Sequence, residues 1–155
     1  MQIINSYSHL NASEIIKKKQ VVWPEIDSVL NNSEVEFGPT RPSEIKKVLN
    51  SSFNRLGWAD RVRVHPNLKL TISFLKENVG VCLQLGNVSR TYADIIKLEL
   101  LGERGIIDVG CIVVPDAQES KLLGANYARF DRLQREAVAF KKILNTPILI
   151  LALGN

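Results

Sequence analysis

Aromatic residues are scarce, at 6% of a 155-residue chain. That scarcity argues against a platform of stacked rings for single-stranded nucleic acid. There are two cysteines and two histidines, and no CxxC or HxxxH spacing joins them, so no zinc pattern is present. Cys82 and Cys111 each lie in an apolar strand pattern and read as buried, reduced thiols. They can pair only if their strands are neighbours. No apolar run reaches the ~20 residues that a membrane helix needs, and the longest, Pro147–Leu153, is of strand length. The N-terminal MQIINSYSHLNASEIIKKK lacks the basic-then-apolar order of an export signal. These absences predict a soluble, cytoplasmic protein with no membrane partner. The glycines form neither GxGxxG nor a P-loop, and no internal repeat is visible.

What is present is an ordinary globular composition, 45% apolar and 23% charged. The length suits a single domain over residues 1–155 with a sizeable core. The net charge of +4 and pI near 9.2 are compatible with a nucleic-acid partner, but many domains reach such values.

Helical spacing begins near Ala12 and continues through Ile26 and Leu30, with Pro24 dividing it into two short helices. The polar stretch 31–41, with Gly38 and Pro39, reads as a loop. Pro42 opens a helix to about Leu56. Strands are expected on either side of a Glu77–Asn78 turn. After them come a helix at Ser89–Leu101, a strand at Ile106–Val114, a loop at Asp116–Asn126, a helix at Tyr127–Leu144 and a closing strand at Pro147–Leu153. This order predicts an α/β fold, a mixed β-sheet flanked by helices.

The hairpin Leu70–Asn87 carries the sharpest functional signal. Alternation places Val79, Val81, Leu83 and Leu85 on one face of its second strand, and Gly80, Cys82, Gln84 and Gly86 on the other. Metal-assisted phosphodiester hydrolysis needs two or three carboxylates around a cation. Here the expected face offers Ser73, Cys82 and Gln84, a poor set for a hard cation. Glu77, Asp94, Glu99 and Asp108 are close in sequence. Glu99 is a candidate to enter the site from the following helix, or else a solvated helix acid. Cys82 with His65 as a nucleophilic pair has no supporting motif. Arg61, Arg63, Lys69, Lys76, Arg90 and Lys97 surround the hairpin, and Arg129, Arg132 and Arg135 stripe the long helix. Such charges grip phosphates if they converge; otherwise they form a mixed solvated surface, with Asp131 and Glu136 interleaved.

The pattern IxFxKxxxxVxxQ, formed by Ile72, Phe74, Lys76, Val81 and Gln84 and followed by Asn87, resembles the BglII/BstYI-type restriction endonucleases of the PD-(D/E)XK superfamily. Ala12-Ser13-Glu14-Ile15 with Trp23, Glu25 and Ile26 looks like that family's opening helix, and Tyr127 and Leu133 look like its later helix. The resemblance implies a restriction-endonuclease-like fold, a double-stranded DNA partner, a possible homodimer, and Mg²⁺ if cleavage is retained. It also implies an Asp where this chain has Ser73 and a Glu where it has Cys82; only Gln84 keeps the family's residue. The chain stops after its last strand, where the family continues into a part that helps read bases. The expectation is therefore a DNA-binding protein whose nuclease centre is lost or impaired. Ser73, Cys82 and Gln84 would be the degenerate centre, and Arg61, Arg63, Lys69, Asn87, Arg90, Arg129 and Arg132 the DNA contacts. No metal or other cofactor is expected in that case. Two alternatives stay open: a protein-binding, immunity or antitoxin-like partner of a toxin-like protein, and an active Mg²⁺-dependent endonuclease whose carboxylates have moved to Glu77, Asp94 or Glu99.

Overall fold

Three apolar runs lie side by side at the centre of a six-stranded sheet. The computed structural model, which describes residues 1–155, orders the strands β1-β6-β5-β4-β3-β2. These are β1 Gln2–His9, β2 Ala59–Arg63, β3 Thr71–Lys76, β4 Val79–Leu83, β5 Val109–Pro115 and β6 Ile148–Gly154. The central strands β4, β5 and β6 are parallel and buried along their whole length. Parallel strands need crossovers, and helices covering both faces leave room only for continuous apolar sequence. The outer strands β1, β3 and β2 join antiparallel.

Helices α1 Ala12–Lys17, α2 Val22–Asn31 and α3 Pro42–Arg55 cover one face. There Ile16, Ile26, Leu49 and Phe53 pack on Val79, Val81, Leu83 and Cys111. Helices α4 Arg90–Glu103 and α6 Phe130–Phe140 cover the other, with Ile95, Leu98 and Leu133 on Cys82, Ile112 and Ile150. The alternation expected of β4 is therefore observed. Pro24 falls in the first turn of α2, where its missing N–H costs nothing, and it separates α1 from α2 as expected. Glu44 accepts the Arg41 N–H at the start of α3.

The structure differs from the sequence expectation at several places. Edge strands β1 and β2 were not anticipated. β1 is largely exposed and carries an irregularity between Ile3 and Asn5, so it shows no two-residue alternation. β2 is five residues long and mostly charged or polar. The segment expected as a loop at Asp116–Asn126 contains helix α5, Ala117–Leu123, started by Asp116 and ended at Gly124. The helix expected from Tyr127 starts at Phe130, because Asn126 and Ala128 pair through their backbones with Val88 and Gly86. Cys82 and Cys111 lie on neighbouring strands but on opposite faces of the sheet, so both stay free.

The two segments that carried the resemblance meet in space. Lys76 on β3 donates to both Glu25 oxygens, at 2.7 and 2.8 Å, and to the Leu56 carbonyl. The Trp58 indole N–H donates to the same carboxylate at 2.8 Å. This network ties α2 to the hairpin.

Helix α4 sits close to the sheet because Gly80 and Gly110 are register partners beneath Leu98. A Cβ at Gly110 would stand 2.8 Å from a Leu98 methyl, and one at Gly80 would stand 3.1 Å from the other. Gly110→Ala is expected to cost about 2 kcal/mol by overpacking, a fall of roughly 4–8 °C in Tm by thermal unfolding. An unchanged Tm would show that α4 is free to move outward.

Candidate functional site

The hairpin changes face at Ser73, the first of the three candidate centre residues. Register pairs Asp60 with Phe74 and Val62 with Ile72, which sets Arg61 opposite Ser73. Arg61 has φ 47°, a left-handed conformation uncommon for a residue with a side chain. Phe74 packs on the α1–α3 side, whereas Ile72, two residues earlier, packs on the α4–α6 side. An undistorted strand would send both the same way. Pairing of β3 with β4 stops at Phe74–Val81. Beyond it, the Ser73 hydroxyl accepts the Leu83 N–H at 2.9 Å, in the place of a strand carbonyl. Ser73 therefore closes the ladder sideways; its hydroxyl is not free above the sheet.

Cys82 and Gln84 follow the alternation and face α4. That helix buries Thr91, Asp94, Ile95, Leu98 and Leu101, a stripe at helical spacing. The stripe brings Asp94 to Gln84, whose Nε2 donates to Asp94 Oδ2 at 2.7 Å. Both residues are buried, at 7% and 5% exposure. Lys97, one turn on, donates to Asp94 Oδ1 at 2.8 Å. Both oxygens of the only carboxylate at the centre are thus engaged, one by an amide and one by an ammonium.

Burial pushes the Cys82 thiol well above its ordinary range, and the charge of Asp94 adds to the effect; Lys97 and the Ser73 N–H oppose it more weakly. Burial alone pushes Cys111 up to about 12. Both thiols are neutral at physiological pH, and neither is a nucleophile there.

The structure brings Ser73, Cys82 and Gln84 together and joins Asp94 to them. It does not bring Glu99, which lies off the buried stripe. Glu99 accepts the Asn145 and Thr146 N–H groups at 2.8 and 3.0 Å, holding the turn before β6. Glu77 sits exposed in the β3–β4 turn. The role of Lys97 was missed at the sequence level, although its three-residue spacing from Asp94 was the available signal.

The basic residues fall into two groups. Arg61, Arg63 and Lys69 are exposed along β2 and the loop after it. The second group surrounds the exit of β4, where residues 86–88 pair with 126–128. Asn87 accepts the Ser89 N–H and hydroxyl, turning the chain into α4 at Arg90. Lys121, Arg129 and Arg132 line a groove of about 480 Å³ on one side of this ribbon. Arg41 and Asn87 line another, of about 620 Å³. Arg132 is held by Glu136 at 2.7 Å and by the Tyr92 hydroxyl, which keep its guanidinium protonated at any accessible pH.

The family model described as "Restriction endonuclease BglII/BglIII" matches residues 4–153. The chain belongs to the BglII/BglIII restriction endonuclease family. Its fold is that of BglII. It superimposes on the crystal structure of BglII complexed with a DNA 16-mer with a TM-score of 0.83 and 14% identity, covering 100% of this chain and 77% of that one. On free BglII the TM-score is 0.79 at 16% identity, covering 100% and 80%. No curated protein matches the sequence.

For a member of the BglII family the metal to test is Mg²⁺. Mg²⁺ selects hard, preferably anionic, oxygens and keeps near-octahedral geometry. The centre offers a neutral thiol, a hydroxyl already accepting a backbone N–H, an amide, and a carboxylate already paired with an ammonium. No three acidic, cysteine or histidine side chains cluster anywhere in the chain. These donors do not fit Mg²⁺.

The buried thiols carry a pH signature. In the unfolded chain they ionise near pH 8.5–9, whereas the native state retains their protons, so native stability is full below that range and falls as pH rises toward about 12. Between pH 8 and pH 10 the Cys111 thiol should remove about 1.5–2 kcal/mol, and Cys82 should act in the same direction. Urea unfolding at the two pH values measures this. A Cys82→Ala/Cys111→Ala variant should show a correspondingly flatter dependence, and equal slopes would refute the assignment.

Proposed function

We propose that this chain is a non-cleaving DNA-binding protein, a BglII-type fold that grips duplex DNA through phosphate contacts. The observation that carries this reading is the centre's charge balance. Where hydrolysis needs an anionic pocket around a cation, this chain has one carboxylate, already neutralised by Lys97. Arg41, Lys121, Arg129 and Arg132 line the two grooves at the exit of β4 and support the binding half of the reading; Arg41, Arg129 and Arg132 each also pair with a neighbouring carboxylate, which a phosphate would have to share or displace. Arg61, Arg63, Lys69 and Arg90 are further exposed basic residues, the first three in a separate group along β2 and its following loop. BglII, which shares the fold, was crystallised with a DNA 16-mer.

A second reading is a protein-docking role. Ile96 on α4 and Ile143 just after α6 are 66% and 69% exposed, near the packed pair Tyr92 and Phe140. Exposed isoleucines suit a protein partner better than a phosphate backbone.

The two readings separate by salt dependence. If about four phosphates are neutralised, duplex affinity should fall with a log–log salt slope of about −3.6, roughly 150-fold between 50 and 200 mM salt. Arg41→Ala and Arg129→Ala should each weaken binding and make the slope shallower by about 1, whatever the DNA sequence. Fluorescence anisotropy with a labelled duplex measures both. No detectable binding at low salt would end the DNA reading and leave protein docking.

A further inference from the structure

The buried cluster beneath Cys82 is electrically complete without any ion from solution. Asp94 contributes one negative charge and Lys97 one positive charge, with Gln84 taking the remaining carboxylate oxygen. The Lys97 side chain is 17% exposed and that of Asp94 7%, so solvent screens the pair little. A divalent ion approaching Asp94 would have to displace the ammonium or sit beside it, against like charge. Neither Ser73 nor Cys82 has an anionic atom to offset that repulsion.

We infer that Lys97 is the built-in cation of this centre: its ammonium holds the place beside Asp94 that a divalent ion would otherwise need, and makes the fold independent of such ions. The inference uses the same donor set as the functional reading, but it does not depend on DNA. Its test contains no DNA, so either can fail alone. Lys97 acts here as a positioning residue. It pairs with the Asp94 oxygen that Gln84 leaves free, on a helix whose seat over the sheet is set by packing.

Two consequences are measurable. Removing the ammonium strands a buried carboxylate, and only then does a divalent ion gain a reason to bind. Lys97→Met keeps the apolar stem and deletes the charge. Its Tm in EDTA should fall by about 6–12 °C. Millimolar Mn²⁺ should restore about half of that loss, whereas the unsubstituted chain should melt identically in EDTA and in Mn²⁺. An Asp94→Asn/Lys97→Met double variant has no charge to balance. It should recover most of the stability and ignore Mn²⁺, which keeps the test decisive if the single variant does not fold. Stabilisation of the unsubstituted chain by Mn²⁺ would overturn the inference. So would an unchanged Lys97→Met variant, a loss that Mn²⁺ does not reduce, or a double variant no more stable than the single one.

Discussion

Helix α4 approaches the sheet as closely as it does because Gly80 and Gly110 stand side by side under Leu98. Everything at the centre depends on that contact. A Cβ at Gly110 would crowd Leu98 to 2.8 Å and one at Gly80 to 3.1 Å, so the bare backbone there is what gives Leu98 its seat. With the helix seated, three successive turns deliver Thr91, Asp94 and Leu98 to one buried line. The position of the carboxylate is therefore set by packing. Burying an aliphatic side chain such as Leu98 contributes about 1.5–3 kcal/mol, enough to hold a polar contact in place.

That seating gives the candidate centre its character. In a BglII-family fold, a polar face at the β3–β4 hairpin invites reading as an active site. In this chain the Ser73 hydroxyl, the Gln84 amide nitrogen and both oxygens of Asp94 already have partners. Ser73 completes a ladder that β3 abandons, and Gln84 and Lys97 divide the two oxygens of Asp94 between them. The thiol of Cys82 is kept neutral by burial beside that carboxylate. Buried polar contacts of this kind, strengthened by the low local dielectric, rigidify their surroundings. The exposed basic residues lie outside this cluster, on β2 and around the exit of β4.

The sequence was most legible where pattern and burial agree. The Val79–Leu85 alternation, the β5 and β6 runs and the Pro42 helix start were read with little error, because fully covered strands and stereotyped helix starts leave strong local marks. The edge strands were not legible. β1 pairs on one side only and is kinked near Ile4, so no face selects its residues. The α5 helix was hidden by a polar, Gly-terminated segment that looks like a loop. At the centre, the proximity of Ser73, Cys82 and Gln84 followed from alternation and spacing. The partnership of Asp94 with Lys97 did not, since it depends on which face α4 turns toward the sheet. Glu99 looked equally placed in sequence, yet its carboxylate is occupied by the turn before β6.

The central claim is that a balanced, metal-indifferent centre leaves a BglII-type fold able to hold DNA without cutting it. Supercoiled plasmid incubated with excess protein at low salt, in Mg²⁺ or Mn²⁺ and in EDTA, tests it most directly. The account predicts that the plasmid is retarded by the protein equally in all three conditions and recovered intact after deproteinisation. Divalent-dependent nicking or linearisation that Asp94→Asn abolishes would contradict it.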